Sequence, residues 1–328
     1  MTTDQLLPAV ADRADGKPRQ LGTEIEFASV SIATAADLIK SNFGGEIQVK
    51  SDYQYLVAGT RYGDFGVELD FEYLKKRGLS RRSGEFKPSD FERMTEDVLA
   101  TAARQIVPCE VVSPPMPIAE LPALDALCEQ LAEQGAQGTG HSLLYAFGVH
   151  FNPEIPDLEA PVALAYLQAF VLLSDWIIKR SKIDLSRRVS TFADPFPRDY
   201  VIKLLQPDYA PNWGQLIDHY IDDNPTRNRG LDMLPLFAHV DEQRVRDRLS
   251  DSLIKSRPTF HYRLPNCRLG EPGWSIVSEW QYWLCVERLA NDSVLRRELM
   301  DEYLQLQNSL IKRWFGNWAE RLDDIFHG

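Results

Sequence analysis

Residues 21–27, Leu-Gly-Thr-Glu-Ile-Glu-Phe, read as a short strand of alternating polar and apolar side chains. Side chains two apart along a strand share a face, so Glu24 and Glu26 project together, their Cα atoms roughly 7 Å apart. Two carboxylates that close resist joint ionisation unless a cation lies between them or water screens them well. The stretch is therefore either a solvated outer face or half of a hard-cation site built from oxygen ligands. Whatever the fold, it has to give this strand one face that meets water or a metal ion.

The same period of two returns in residues 46–73, where Ile47, Val49, Tyr53, Tyr55, Val57, Phe65, Val67, Leu69 and Phe71 predict two or three antiparallel strands joined at Gly59 and Gly63. On the last of them Glu68, Asp70 and Glu72 share a face, which is either wet or able to lend an acid to a metal cluster. Residues 109–115, Cys-Glu-Val-Val-Ser-Pro-Pro, predict a strand headed by Glu110 and stopped by prolines that cannot continue a ladder. Residues 143–152 predict an apolar strand with His150 and Asn152 on one face where it runs out, and residues 257–268 a late strand with Thr259, His261 and Arg263 on one face. A histidine in such a place is as readily a satisfied core residue as a ligand.

Helical spacing marks 33–41, 88–105, 121–133, 163–178, 215–221, 231–237 and 241–254, and residues 275–321 predict two long amphipathic helices, with Trp280 and Trp283 on the first and Trp314 and Trp318 on the second. Those tryptophans pack internally or form a homo-oligomer contact. Residues 1–18 read as a loose leader and 75–87 as a basic loop. Arg227 and Arg229, flanked by Asn and Gly, make a compact donor cluster suited to carboxylate or phosphate, or else an ordinary surface loop. One domain over 1–328 is expected, with a mainly helical insertion at 155–255.

A formal net charge of −12 argues against nucleic acid or an anionic membrane as the main partner and points to a small one. The four cysteines, Cys109, Cys128, Cys267 and Cys285, lack Cys-x-x-Cys spacing, which speaks against zinc ribbons and disulfide frameworks. The N-terminus has no basic start followed by an apolar run, and no window approaches 18 apolar residues, so a cytoplasmic, membrane-free protein is expected. No P-loop, no dinucleotide fingerprint after a strand and no Gly-x-Ser-x-Gly elbow occurs.

In chain order these segments give Glu-x-Glu at Glu24 and Glu26, Glu-Val-Val-Ser-Pro-Pro from Glu110, Gly-x-His-x-Asn ending at His150 and Asn152, and His-x-Arg at His261 and Arg263. Their order, and their placement on strands, resembles the carboxylate-amine ligase superfamily that includes glutamine synthetase and glutamate-cysteine ligase, most closely its bacterial amidoligase branch, over residues 21–283. The resemblance implies an α+β fold in which a curved antiparallel sheet forms an open catalytic funnel with a largely helical second half packed on its outside. It also implies ATP and two or three magnesium ions, with manganese as an alternative. Carried over residue by residue, Glu24, Glu26, Glu110 and His150 resemble metal ligands, and Arg263 the arginine that steadies phosphate. The family pattern has Glu two residues before that arginine; here the position is His261, either a ligand with altered metal preference or a contact to nucleotide or substrate. Arg227, Arg229, Arg268 and Asn152 are the further candidates for cofactor binding. Glu68 is the candidate base, with Asp70 as the alternative, and Asp52, Glu68 or Asp70 could supply the acid that completes the site. The implied reaction joins a small-molecule or peptide carboxylate to an amine through an acyl phosphate. A metal-dependent hydrolase or phosphotransferase on the same fold, and a non-catalytic binding protein, are the competing readings.

Overall fold

The computed structural model describes residues 5–70, 108–139, 147–181, 193–308 and 315–326. Within them lies one antiparallel sheet of nine strands: β1 (Gln20–Phe27), β2 (Glu46–Ser51), β3 (Gln54–Thr60), β4 (Gly63–Leu69), β5 (Cys109–Val112), β6 (Met116–Pro117), β7 (Val149–Pro153), β8 (Leu231–Asp232) and β9 (His261–Tyr262). The spatial order is β2-β3-β4-β5-β1-β7-β9-β8, with β6 paired to the start of β1 off this path. The first strand in the chain thus lies near the middle of the sheet, between β5 and β7. Strands β2 to β4 form the expected meander. Gly45, at φ 88°, enters it where a Cβ would stand 2.6 Å from the Ala58 carbonyl oxygen, an approach only glycine permits.

The register turns local alternation into two unlike faces, because residues opposite one another in antiparallel strands project the same way. Glu26 lies opposite Glu110, Glu110 opposite Glu68, and Glu68 opposite Gln54. Glu24 lies opposite His150 and Gly22 opposite Asn152, while His261 lies opposite Asp232. The other parity is apolar and fully buried, with Ile25, Val57, Phe65, Val67, Val111, Val149 and Phe151. Helices cover that apolar side: Phe43 stacks on Phe65, and Trp280 and Trp283 pack against Phe151 and Tyr262.

There are ten α-helices among the described residues: α1 (Ile32–Phe43), α2 (Leu121–Glu133), α3 (Ala160–Arg180), α4 (Arg198–Leu204), α5 (Trp213–Asp223), α6 (Leu234–Val240), α7 (Glu242–Arg246), α8 (Ile276–Asn291), α9 (Ser293–Asn308) and α10 (Phe315–Phe326). Several depart from the sequence expectation for identifiable reasons. The helix expected over 231–237 begins only at Leu234, because Asp232 belongs to β8 and its Oδ1 accepts from the Leu234 N–H at 3.0 Å. The helix expected over 241–254 stops at Arg246, whose guanidinium turns to the carbonyls of Asp251 and Ile254. The late strand expected over 257–268 pairs continuously only at His261 and Tyr262, since Pro258 and Pro265 have no N–H to offer a ladder. The two expected C-terminal helices are three: Asp292 ends α8 and accepts from the Leu295 N–H to start α9. The loop expected at 75–87, the helix at 88–105, Phe71, Glu72 and Trp314 lie outside the described residues.

Two further expectations are corrected. The leader is not loose from residue 5 onward: Leu6 is buried and its carbonyl accepts from the Trp280 indole at 2.9 Å. Helix α3 contains an 18-residue window of mean hydropathy 1.6, long and apolar enough to cross a membrane, contrary to the count of apolar runs. Of that window 72 % is buried against the rest of the protein, as befits a helix packed on most of its circumference.

Candidate metal centre on the polar face of the sheet

Four neighbouring strands, β5, β1, β7 and β9, bring Glu110, Glu24, Glu26, His150, Asn152 and His261 onto one face. Their side chains are cross-linked. Glu24 Oε2 lies 2.8 Å from His150 Nδ1, and Glu24 Oε1 accepts from Asn152 Nδ2 at 3.0 Å. Glu26 accepts from the Gly148 N–H at 2.7 Å and sits 3.7 Å from His150 Nε2. Asn152 Oδ1 meets His261 Nδ1 at 2.7 Å and accepts from Arg257 Nη2 at 2.8 Å. Two groups have ligand atoms all within 4.8 Å of one another: Glu24, His150 and His261, and Glu26, Glu110 and His150. The structure thus brings together all five residues named from the sequence as metal ligands.

The electrostatics of the two groups differ. Burial pushes the Glu110 carboxyl well above the usual carboxylate range, and the charges of Glu24, Glu26, Asp70 and Glu68 push it the same way. Burial also disfavours ionised Glu24, but His261, His150 and Arg257 outweigh it and hold its carboxyl well below that range. His261 is held well below the ordinary imidazole value, by burial first and then by Arg263, Arg257 and His150. The donor set of carboxylates and neutral imidazole fits a divalent cation, and the elevated Glu110 marks a surplus of negative charge that a cation would neutralise.

The remaining candidates divide. Glu68 extends the acidic row past Glu110 and is held by Gln54 Nε2 at 3.0 Å. Asp70 adds its charge to that row, whereas Asp52 is exposed at the turn between β2 and β3. Arg263 is buried next to His261, with its backbone N–H on the Gly230 carbonyl. The pair Arg227 and Arg229 diverges: Arg227 Nε lies 3.9 Å from Asp232 Oδ2, beside the site, while Arg229 braces Asn224 and the Pro195 carbonyl. Arg268 is engaged by the Ser181 carbonyl at 3.0 Å and approaches Glu271.

Two residues of the site were missed from the sequence. Arg257 shares the parity of Thr259, His261 and Arg263, a signal obscured because it stands ahead of Pro258 at the strand's start. Asp232 is fully buried opposite His261, with its carboxyl pushed up to about 6 by burial against the opposing charges of Arg227, Arg263 and Arg257. It was hidden inside a segment read as helix.

Fold and site together define an α+β protein whose antiparallel sheet is apolar and helix-covered on one side and carries a carboxylate–imidazole centre on the other. The chain belongs to the amidoligase family, described as "Putative amidoligase enzyme", which matches residues 17–285. That membership supports a ligase that forms amide bonds. No curated protein and no solved structure gives a match.

Proposed function

We propose that the chain is a cytoplasmic ATP- and Mg2+-dependent ligase that condenses the carboxylate of a small molecule or peptide with an amine, and that the polar face is the floor of a glutamine-synthetase-like funnel. The observation that carries this reading is the convergence of three carboxylates and two imidazoles from four strands, in a member of an amidoligase family. In it, Glu26 and Glu110 would hold one ion and Glu24 and His261 another, with His150 within reach of both. Magnesium, when bound, would neutralise phosphate oxygens of ATP and so ease phosphoryl transfer. Arg263 and Arg227 would meet the same oxygens from the β8–β9 side. A substrate carboxylate oxygen takes the γ-phosphoryl group and ADP leaves. The amine nitrogen then bonds to the activated carbonyl carbon, phosphate leaves with the C–O bonding pair, and a base takes the proton shed by nitrogen. Glu68, at the opposite end of the acidic row from Arg263, is our candidate for that base.

The test is the double variant Glu24→Gln, Glu26→Gln. Its circular dichroism should match that of the parent while magnesium-dependent ATP turnover is lost; turnover at the parental level would remove the assignment.

A further inference from the structure

We infer that the cation held by Glu24, His150 and His261 is a divalent first-row transition ion rather than magnesium, so that the centre is of mixed metal type; the inference rests on the metal-binding reading above. Magnesium demands hard oxygen ligands and gives up its water reluctantly. Imidazole nitrogen suits the transition series. The acidic row of Glu26, Glu110 and Glu68 can supply oxygens alone, whereas the neighbouring group supplies two ring nitrogens and one carboxylate.

The hydrogen bonds around His261 fix which of its nitrogens can bind. Asn152 Nδ2 is 3.0 Å from Glu24 Oε1, next to an ionised carboxylate that accepts, so the amide cannot be the other way round. Its Oδ1 then faces His261 Nδ1 at 2.7 Å, and because an amide oxygen does not donate, that nitrogen carries the hydrogen. Arg257 Nη2 donates to the same Oδ1 at 2.8 Å, which accounts for its 3.1 Å distance from the ring. The lone pair of His261 is left on Nε2. Asn152 and His261 are 6 % and 1 % exposed, so neither turns freely. An oxygen acceptor holding the far ring nitrogen is the arrangement that orients metal-bound histidines. Asn152 is accordingly a positioning residue for both Glu24 and His261.

His150 goes with the same group, because its Nδ1 stands 2.8 Å from Glu24 Oε2 while its Nε2 is 3.7 Å from Glu26 Oε1. A cation entering there takes the place of the proton that His150 Nδ1 shares with Glu24. The nearest acceptor for Nε2–H is then Glu26.

The test uses the full chain stripped of metal, titrated with MnCl2 and with MgCl2 by calorimetry, and pulsed electron paramagnetic resonance of the manganese-loaded protein. The expected result is a site that prefers Mn2+ to Mg2+ on the order of tenfold or more, with 14N coupling from two ring nitrogens. His261→Glu should lose one coupling and bring the two affinities together. Asn152→Ala, which keeps every ligand, should weaken Mn2+ binding roughly 10- to 100-fold. The spectrum of the parent protein requires no variant to fold. Equal affinities with no nitrogen coupling, while Mg2+ still binds, would overturn this inference and leave the magnesium ligase reading standing. Failure of both ions to bind the parent would remove both.

Discussion

The protonation of Glu110 is set by burial and by the acids around it, which raise its carboxyl well above the ordinary range in the metal-free chain. A raised carboxyl binds its proton more tightly in the folded than in the unfolded chain, so an ionised Glu110 disfavours the fold, and that cost fades as pH falls through its folded value. A divalent cation reverses the sign by favouring the carboxylate, so metal binding should expel protons and tighten as pH rises. Calorimetric titrations of Mg2+ in buffers of different ionisation enthalpy should report this release, and Glu110→Gln should abolish most of it. An observed heat independent of buffer in the parent protein would contradict the assignment of Glu110 as a ligand. His261, on the same face, stays neutral for a different set of reasons, burial first and then the guanidinium groups of Arg263 and Arg257.

At the scale of elements, one buried cluster fastens β1 to the helices behind the sheet. Arg19 and Glu287, both with fully buried side chains, pair at 2.8 Å; Trp283 Nε1 donates to the same carboxylate at 2.8 Å, and the Tyr166 hydroxyl donates to its other oxygen. Residues preceding β1, helix α3 and helix α8 all meet there. Removing one partner leaves the other charge buried and unpaired, so Glu287→Ala should cost about 3–5 kcal/mol in urea unfolding. The apolar double replacement Arg19→Met, Glu287→Leu should recover much of that loss. A single-variant cost under about 1 kcal/mol would show that Arg19 finds water or another acceptor.

The same scale explains what was legible in the sequence. Strands β1 and β5 and helix α2 could be read from residue spacing because each buries one face, and helix 121–133 ends where Gly135 reaches φ 90°. Strand β8 has two residues, too few to show a period, and its pairing with β9 joins residues 29 and 31 positions apart. Asp232 was lost with it. The membrane-length hydropathy of α3 is masked in the sequence because Gln168, Ser174 and Asp175 interrupt its apolar run, although the mean still reaches 1.6. The acids Glu24, Glu26 and Glu110 were legible individually. That Glu110 sits opposite Glu26 and Glu24 opposite His150 is a matter of strand order, which no local pattern contains.

For the whole molecule, part of the net charge of −12 comes from one sheet face, where Glu24, Glu26, Glu68 and Asp70 all act on Glu110. A ligand that binds only the folded chain stabilises it by mass action, by about 2.7 kcal/mol at a hundred times its dissociation constant. Thermal unfolding with excess Mn2+ or Mg2+, compared with chelator, should show a gain of this order, much reduced in Glu26→Gln, Glu110→Gln. Equal midpoints with and without the ions would mean that the acidic row binds no cation in the folded state.

A two-sided sheet also limits how this chain can change length. Inserting or deleting a single residue inside β1 would turn Glu24 and Glu26 toward the helices and Ile25 and Phe27 toward the polar side, ruining the hydrophobic core and the cluster of acids and imidazoles in one stroke. The hairpin bends at 52–53 and 61–62 carry no such penalty, so diversification of length belongs there, and refinement of the central strands has to proceed by replacing side chains one at a time.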